Sequence, residues 1–373
     1  MKVGITGQNG FIGWHLCHTL KYSYVTKFQL IPFERNYFSN SDTLDDFVSK
    51  CDCIIHLAGL NRAEEENEIR EINLSLSEKL AASFKRINFK GKLIFSSSSQ
   101  EKNISAYGKS KKEAREVLFK ASKKIGFQFI GLIIPNVFGP FCKPNYNSFI
   151  ATFCHQIINN IEPKIIVNQQ VELIYVSHLV EKIIESIHTP SNQNYIIPSQ
   201  QIIHVSEVKK LLESYYNLYI KNGEIPSLET TFHINLFNTF RSYLKHEARF
   251  PVGHKKNSDN RGNFSEIIKC HSGGQFSYST TESKATRGNH FHTRKIERFS
   301  VIQGEALIKL RKIGSKITHN FKLNGASPSF VDMPIWFAHS ITNIGSEPLI
   351  TLFWINEIYN EKDPDTYFEI VQA

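Results

Sequence analysis

The chain has 373 residues, of which 41% are hydrophobic and 21% are charged, and its net charge is +9. This length exceeds the roughly 250–300 residues at which single cores stop growing, so we expect two domains, and the composition excludes a disordered chain. Because the basic residues are spread along the chain, the charge argues against nucleic-acid binding and suits an enzyme whose ligands carry phosphates.

The sequence also argues against a membrane protein and a disulfide scaffold. No apolar run approaches the roughly 20 residues that span a bilayer, and Met1 leads into a predicted strand without a signal-peptide core. The six cysteines are scattered and form no CxxC motif. We therefore expect a cytoplasmic protein with reduced thiols and no membrane partner.

Strand and helix patterns alternate through the first 190 residues. In chain order they predict a strand over 2–6, a helix over 11–20, strands over 28–33, 53–58 and 92–97, a helix over 109–122 and a strand over 127–134. Strands separated by helices in this way indicate a parallel sheet with helices on both faces. The sequence therefore predicts an α/β domain.

The pattern changes near residue 245. Short apolar runs separated by glycine or polar turns follow, at 275–278, 299–302, 306–311, 330–333, 340–343 and 349–354. Regularly spaced short strands predict a β-sandwich or a small barrel. Residues 205–245 are helical and polar, and we assign them to the end of the first domain and its connection. The predicted domains are 1–245 and 246–373.

The first predicted strand runs into a glycine-rich turn with GxxGxxG spacing. Gly7, Gly10 and Gly13 let the backbone approach a pyrophosphate and let the following helix pack on the strand. Phe11 and Ile12 begin that helix, whose free N–H groups hold the anion. A glycine triplet alone is a weak signal, but this one stands where a strand meets a helix. These residues therefore predict a dinucleotide site.

Two further segments bear on the cofactor. A basic residue at the tip of the second strand accommodates the 2′-phosphate of NADP, whereas an acidic one binds the ribose hydroxyls of NAD. Arg35 favours NADPH, and the adjacent Glu34 leaves NADH open. Leu57, Ala58 and Gly59 end the next strand, where small residues let the backbone lie against the cofactor.

A YxxxK motif begins the helix predicted near residue 109. Tyr107 and Lys111 lie on one face of this helix, because they are four residues apart. We expect the ammonium group to lower the pKa of the phenol, so that the tyrosine transfers a proton near neutral pH. The serine run 96–99 follows a strand about ten residues upstream, and a hydroxyl there can hold a substrate carbonyl beside the tyrosine.

Taken together, the glycine turn, the His-Leu-Ala-Gly sequence at 56–59, the serine run and the YxxxK motif resemble the extended short-chain dehydrogenase/reductase family. The resemblance implies a Rossmann-type fold. It also implies that the third serine of the run, Ser98, is catalytic together with the tyrosine and lysine. Pro135 and Asn136 match the loop of that family on the nicotinamide side.

The β-rich C-terminal part contains a candidate metal site. His290 and His292 alternate on one predicted strand, so both imidazoles point to the same face. Glu297 and the distant His339 complete a set of three imidazoles and one carboxylate. Such a set suits one divalent metal, and we predict Zn²⁺, with Ni²⁺, Mn²⁺ and Fe²⁺ left open.

This set resembles the two metal motifs of the cupin superfamily, which implies a jelly-roll barrel. The second motif departs from the family at Trp336, where glycine is common. Residues 259–264 and 287–290 also resemble the sugar-nucleotide 3,5-epimerases of the deoxyrhamnose pathway. In those enzymes the histidine that matches His290 is a general base, so this residue has two candidate roles. The neighbouring histidine and glutamate favour the ligand role.

Over essentially its full length, the chain resembles the bifunctional capsular-polysaccharide enzymes of the CapF/WbjC type, most specifically at 61–62, 141–148 and 363–368. The resemblance implies a UDP-linked 2-acetamido-2,6-dideoxy-4-hexulose as substrate. The cupin would invert C3, and the reductase domain would then reduce the C4 ketone with NADPH. The implied product is UDP-2-acetamido-2,6-dideoxy-L-talose, a precursor of N-acetyl-L-fucosamine for capsule or O-antigen synthesis.

The order of the two reactions follows from their chemistry. The C3 proton is acidic only while C4 is a ketone, so epimerisation comes first and reduction makes it permanent. A metal near the ketone oxygen would act as a Lewis acid on the enolate, although a structural metal also stays open. The candidate substrate contacts are Asn145, Asn147 and Arg261, and we expect a homodimer.

Three other functions stay open. The first is a reductase whose cupin only binds sugar or mediates dimerisation. The second is an epimerase or 4,6-dehydratase that keeps its nicotinamide bound, and the third is a non-catalytic nucleotide sensor. The intact Ser98, Tyr107 and Lys111 argue against the sensor, and consumption of NADPH separates the first two.

Overall fold

The computed structural model describes residues 1–103, 105–190, 192–254, 256–259, 262–265, 267–271, 273–357 and 359–371. Contacts between residues divide the chain into two compact units, Met1–Phe153 with Lys164–Val208, and Cys154–Pro163 with Lys209–Ala373. The helical residues 209–241 therefore pack with the C-terminal unit. This division does not test where the two sequence domains meet, so the boundary at residue 245 remains a prediction.

The first unit contains a six-stranded parallel sheet in the order β2-β1-β3-β4-β5-β8 and a three-stranded sheet in the order β6-β7-β9. Its elements are Lys2–Thr6 (β1), Phe11–Ser23 (α1), Gln29–Ile31 (β2), Ser41–Ser49 (α2), Cys53–His56 (β3), Glu66–Arg86 (α3), Lys92–Ser98 (β4), Ala106–Ile125 (α4), Gln128–Ile134 (β5), Asn136–Phe138 (β6), Phe149–Ile158 (α5, which ends in the second unit), Gln170–Tyr175 (β7), Val176–His188 (α6), Gln193–Ile196 (β8) and Gln201–His204 (β9). Two 3₁₀ turns lie at Arg35–Ser39 and Ser99–Lys102.

Hydrophobic side chains cover both faces of the parallel sheet, as its strand–helix pattern predicts. Val3 and Ile5 of β1 belong to the cluster that includes residues of α1 and α6. Ile54 of β3 belongs to the opposite cluster, which includes Phe47 of α2 and Phe84 of α3. Successive strand residues point to opposite faces, so β3, β4 and β5 each contribute to both clusters. The predicted α/β fold of the Rossmann type is confirmed.

The strand predicted over 28–33 is the main local difference from the expected elements of this unit. It is confined to Gln29–Ile31, which pairs with β1. Pro32 follows and has no N–H group to donate to the sheet. The chain therefore leaves the sheet before it reaches Glu34 and Arg35.

The second unit is mainly antiparallel β-structure. After Val205–Tyr215 (α7, which begins in the first unit), it contains a π-helical turn at Tyr216–Lys221, then Thr231–Arg241 (α8), His246–Arg249 (α9), Val252–Gly253 (β10), Lys256–Asp259 (β11), Gly262–Ser265 (β12), Gln275–Thr281 (β13), Thr286–Phe291 (β14), Glu297–Gln303 (β15), Glu305–Lys312 (β16), Thr318–Asn324 (β17), Ser329–Met333 (β18), Phe337–Asn343 (β19), Leu349–Ile355 (β20) and Tyr367–Phe368 (β21). The two five-stranded sheets have the orders β10-β18-β15-β20-β13 and β17-β16-β19-β14-β21. This arrangement confirms the predicted cupin-like β-domain.

Buried charges attach the helical segment to the strands of this unit. Tyr219, in the π-helical turn, donates a hydrogen bond to the carboxylate of Asp332 in β18. Arg298 of β15 pairs with the same carboxylate at 2.8 and 3.2 Å, and both charged residues are 1% exposed. Arg241 of α8 donates to the backbone of Met333 at 3.0 Å. The hydrogen bonds of Tyr219 and Arg241 join the helical segment to β18. Loss of either charge of the buried Arg298–Asp332 pair would leave the other uncompensated.

No helix among the described residues is both long and apolar enough to cross a membrane.

Candidate active site and metal centre

The glycine turn between β1 and α1 has no room for side chains. Gly7 has φ +79°, and a Cβ atom there would lie 2.8 Å from the backbone nitrogen of Ala58. A Cβ atom at Gly13 would lie 2.2 Å from the Gly7 oxygen, so α1 packs directly against the turn. Within the described residues, no side chain caps Gly10 and no acidic residue lies in the first turn of α1. This helix N-terminus is therefore suited to an anion.

The residues expected to choose between NADPH and NADH lie just beyond β2. Glu34 and Arg35 are both exposed, and Arg35 begins the first 3₁₀ turn. The side chain of Gln8, in the glycine turn, donates to the backbone oxygen of Phe33 at 2.6 Å, which ties the two segments together. Arg35 lines a second pocket of about 720 Å³ together with Lys79. Lys79 is a cation that the sequence argument did not include.

Local contacts at the start of α4 position the YxxxK motif. Ser105 caps the helix by accepting a hydrogen bond from the Gly108 amide at 3.1 Å. A Cβ atom at Gly108 would lie 2.1 Å from the Gln100 oxygen, so the helix packs closely on the turn that follows β4. Ser98, at the end of β4, accepts a hydrogen bond from the Gln100 amide at 3.2 Å. The same turn thus contacts the serine and the helix of the tyrosine.

Ser98, Tyr107 and Lys111 line one pocket of about 660 Å³. Burial raises the pKa of Tyr107 to about 12, and a hydrogen bond with Ser98 opposes this shift. Burial lowers the pKa of Lys111 to about 8, and the carboxylate of Glu101 opposes that shift. Burial therefore raises the pKa of Tyr107, instead of the lysine lowering it as expected, and the phenol keeps its proton at neutral pH.

The same pocket brings together most of the residues expected in the reductase site. Besides the three catalytic candidates, it is lined by Phe11, Ile12, Leu57, Gly59, Pro135, Asn136, Asn145 and Asn147. Gly7, Gly10, Gly13, Arg35 and Ala58 do not line it. The three glycines and Ala58 instead belong to the turn where the backbone segments meet, and Arg35 lines the second pocket.

One wall of the pocket is the segment that contains Asn145 and Asn147. Arg62 donates to the backbone oxygen of Asn145 at 2.9 Å, and the Asn145 amide donates to Thr152 at 3.0 Å. Tyr146 also lines the pocket and acts on the pKa of Tyr107. Arg62 and Tyr146 are thus additional candidates for substrate contact. Arg261, the third expected contact, lies outside the described residues.

An ion pair that the sequence does not predict lies behind the candidate catalytic groups. Glu101 pairs with Arg115 at 2.8 and 2.6 Å and accepts a hydrogen bond from Ser97. Arg115 is four residues after Lys111 and therefore lies on the same face of α4. Hydrogen bonds from both partners outweigh burial and lower the pKa of Glu101. The charge pattern was visible in the sequence, but nothing there indicated that the turn and helix approach each other.

A buried asparagine in α3 was also missed. The side chain of Asn73 accepts from the Leu60 amide at 2.7 Å and donates to the Leu60 oxygen at 2.9 Å. It also donates to the hydroxyl of Ser110 in α4 at 3.0 Å. Asn73 therefore links the loop after β3 to the catalytic helix. A single asparagine on a helix has no distinguishing sequence signal.

The four predicted metal ligands come together in the C-terminal unit. His290 lies in β14, His292 follows that strand, Glu297 begins β15 and His339 lies in β19. One potential ligand atom from each lies within 4.8 Å of the others. Oε2 of Glu297 is 3.0 Å from Nε2 of His292 and 3.3 Å from Nε2 of His339. The predicted grouping is therefore present in the fold.

Backbone contacts orient two of the imidazoles. Nδ1 of His292 contacts the Asp365 oxygen at 2.5 Å, and Nδ1 of His339 contacts the Phe337 oxygen at 3.2 Å. A carbonyl accepts, so Nδ1 carries the proton in each ring and the Nε2 lone pair is directed to the cluster. Within the described part of the chain, these Nε2 atoms and Oε2 of Glu297 are buried without a regular hydrogen bond. This donor set fits a divalent cation.

The structure explains how Trp336 occupies a position where cupins commonly have glycine. Trp336 has φ +62°, the left-handed region in which glycine is favoured. Its amide donates to the His292 oxygen at 2.7 Å, and its ring stacks on Phe291 with centroids 5.4 Å apart. The tryptophan keeps the backbone conformation that glycine would adopt, and its packing compensates for the strain.

Models of two known protein families match this chain, one in each of its two parts. The model of the NAD dependent epimerase/dehydratase family matches residues 3–197. The model named polysaccharide biosynthesis C-terminal domain matches residues 257–367.

A curated relative and a solved structure match the chain over nearly its full length, and a second solved structure matches part of it. A Pseudomonas aeruginosa protein named UDP-2-acetamido-2,6-beta-L-arabino-hexul-4-ose reductase is 33% identical over 98% of both chains. The crystal structure of the capsular polysaccharide assembling protein CapF from Staphylococcus aureus is 30% identical, covers 100% of both chains and has a TM-score of 0.61. RMD from Pseudomonas aeruginosa, solved with NADPH, is 20% identical over 57% of this chain and 82% of its own, with a TM-score of 0.52, which supports the fold alone.

Proposed function

Because the chain belongs to the NAD-dependent epimerase/dehydratase family, we propose that it reduces the C4 ketone of a sugar nucleotide after its C-terminal domain has inverted C3. The proposed substrate is a UDP-2-acetamido-2,6-dideoxy-4-hexulose, and the proposed product is UDP-2-acetamido-2,6-dideoxy-L-talose. The full-length similarity to a reductase named for a UDP-linked hexul-4-ose supports this substrate class. The grouping of Ser98, Tyr107 and Lys111 in one pocket is the observation that carries the proposal.

In the reductase pocket, Tyr107 is the proton donor to the ketone oxygen. Its pKa of about 12 keeps the phenol protonated at neutral pH, which is the form that reduction consumes. Ser98 hydrogen-bonds with the phenol and orients the carbonyl beside it. Lys111 supplies positive charge near the oxygen on which negative charge develops. NADPH, when bound, supplies the hydride to C4.

The preference for NADPH rests on Arg35. Its position after β2, beside the glycine turn, is where a cation meets the 2′-phosphate. Lys79 lines the same pocket and adds a second positive charge. Glu71 lies there too, so two cations face one carboxylate in this pocket. This balance favours the doubly charged phosphate over two neutral ribose hydroxyls.

In the C-terminal domain, His290, His292, Glu297 and His339 hold one divalent metal, with zinc as the expected ion. The two inward-facing Nε2 atoms and the buried carboxylate support this assignment. The metal, when bound, would act as a Lewis acid toward the substrate ketone. Epimerisation at C3 precedes reduction, because the C3 proton loses its acidity once C4 carries a hydroxyl.

One experiment separates the proposed bifunctional enzyme from its alternatives. The protein is incubated with a UDP-4-keto-6-deoxy-HexNAc in D₂O, with and without NADPH, and the products are analysed by NMR. We expect deuterium at C3 in both samples. With NADPH, we also expect a C4 carbinol whose C4 hydrogen comes from the cofactor.

The alternatives give different results in this experiment. Oxidation of NADPH with no deuterium at C3 would identify a reductase whose C-terminal domain only binds sugar or mediates association. Exchange at C3 without any oxidation of NADPH would identify a non-reductive epimerase. Either result would overturn the bifunctional proposal.

A further inference from the structure

The C-terminal segment 363–368 lies along the part of the second unit that carries the metal cluster. Tyr367 and Phe368 form β21, which pairs with β14 at Phe291 and His290. The Tyr367 ring stacks on Phe291 with centroids 5.3 Å apart. This short strand places the residues that precede it against the loop between His292 and Glu297.

Within this segment, the carboxylate of Asp365 receives hydrogen bonds from three successive backbone amides. Oδ1 accepts from the Thr293 amide at 3.1 Å and from the Thr293 hydroxyl at 2.6 Å. Oδ2 accepts from the amides of Arg294 and Lys295, each at 3.0 Å. Asp365 is only 3% exposed, so no water would replace these bonds at low cost. The carboxylate thereby sets the conformation of the loop that joins His292 to Glu297.

The backbone of Asp365 acts on His292 directly. Its carbonyl oxygen lies 2.5 Å from Nδ1 of His292, and the residue has φ +42°. Asp365 therefore holds the loop through its carboxylate and holds the imidazole of His292 through its backbone carbonyl. A ring fixed in this way has one tautomer and one orientation, with Nε2 facing the cluster.

Further contacts anchor the segment on both sides of Asp365. Lys295 donates from Nζ to the Pro364 oxygen at 2.6 Å. Beyond β21, the buried guanidinium of Arg311 donates to the backbone oxygens of Ile370 and Val371, both at 2.7 Å. The Glu369 amide donates to the Asn289 oxygen at 2.9 Å. The segment is thus held against the ligand-bearing strand over its described length.

We infer that Asp365 is a positioning residue of the metal centre, which sets the geometry of His292 and Glu297 without itself reaching the ion. This inference rests on the proposed metal site. Asp365 belongs to the segment 363–368, which resembles the CapF/WbjC-type enzymes in sequence. Groups that orient metal ligands in this way typically contribute about 10–100-fold to metal affinity.

The test measures zinc affinity and ligand geometry separately. Zinc affinity of the full chain is measured by competition with a chromophoric chelator, and geometry is followed in the visible absorption spectrum of the Co²⁺-loaded protein. We expect Asp365→Ala to weaken zinc binding about 10–100-fold and to alter the Co²⁺ spectrum. Asp363→Ala is the matched control, because the exposed carboxylate of Asp363 pairs with the guanidinium of Arg294. The control is expected to keep wild-type affinity and spectrum.

A conservative variant distinguishes positioning from general stability. In Asp365→Asn, the amide oxygen can still accept from Arg294 and Lys295, while the amide nitrogen donates to the Thr293 hydroxyl. We expect its zinc affinity to lie between those of the wild type and Asp365→Ala. If Asp365→Ala does not fold, as judged by circular dichroism, the asparagine variant decides the question.

The outcomes distinguish this inference from the metal proposal itself. If the wild type takes up no stoichiometric zinc, the metal site fails and the inference fails with it. If the wild type binds zinc and the folded Asp365 variants bind it equally well, only the positioning role is overturned. An unchanged Co²⁺ spectrum with a lowered thermal midpoint would likewise show a purely structural residue.

Discussion

The two candidate centres of this chain are assembled in different ways. Ser98 ends β4, and Tyr107 and Lys111 lie in α4, so all three residues lie between positions 92 and 125. The metal cluster combines ligands from β14, β15 and β19 with a C-terminal segment more than seventy residues after the first histidine pair. The first centre depends on local geometry, whereas the second depends on the register of several strands.

The two centres therefore differ in the contacts that position their residues. A 3₁₀ turn and a helix start position Ser98 and Tyr107, so a small number of short-range contacts fix these two residues. In the metal cluster, His292 is oriented by Asp365, a residue that is distant in sequence. We therefore expect each centre to tolerate loss of the other.

The largest expected effect is that of Tyr107→Phe. Removing the proton donor should lower the rate of NADPH oxidation by about 10²–10⁴-fold, because general acid catalysis contributes that much. Exchange of the C3 proton in D₂O should be unchanged, since the proposed epimerisation belongs to the C-terminal domain. NADPH oxidation is followed by absorbance and exchange by NMR. Tyr22→Phe, on the surface of α1, is the control, and normal turnover by Tyr107→Phe would refute the assignment.

The complementary variant is His290→Ala. Loss of one ligand should remove stoichiometric metal, measured by elemental analysis, and should stop C3 exchange. Binding of NADPH, measured by fluorescence, should persist. His271→Ala removes an exposed histidine of the same unit and should retain the metal. If the wild type exchanges C3 without any metal, His290 is better explained as the general base.

A smaller effect is expected for the cofactor preference. Arg35→Ala should weaken NADPH binding about 10–100-fold, because a hydrogen bond to a charged group is worth about 1.5–3 kcal/mol. Binding of NADH should change little. Titration of both cofactors measures the two affinities, with the exposed Arg70→Ala as control. A wild type that prefers NADH would indicate that Glu34 makes the selection.

The smallest effect concerns the pH dependence of reduction. Lys111 has a pKa of about 8, so it is charged below that pH and loses its charge as the pH rises through it. The reduction rate should therefore fall above about pH 8. Glu101→Gln removes a carboxylate that raises this pKa, so the falling limb should move to lower pH. Glu113→Gln, at a partly exposed position of α4, should leave the pH profile unchanged. If the rate of Glu101→Gln falls at the same pH as that of the wild type, the coupling is contradicted.

Several structural features were outside the reach of the sequence argument. The pKa of Tyr107 is dominated by burial, which depends on how the turn, helix and pocket wall pack. The helical and polar residues 205–245 are predicted to form the end of the first domain and its connection. Tyr219 and Arg241 bury that polarity against Asp332 and Met333, and this pairing brings the helices into the second unit.

Residue patterns by themselves predicted the strand–helix alternation, the glycine turn, the YxxxK motif and the four candidate metal ligands. The first three features are local, because side-chain periodicity and backbone sterics act over a few residues. Only the tertiary structure decided that Trp336 adopts a left-handed conformation and that Asp365 holds the loop after His292. Those roles depend on hydrogen bonds between segments far apart in the chain, and such bonds leave no periodic signal in the sequence.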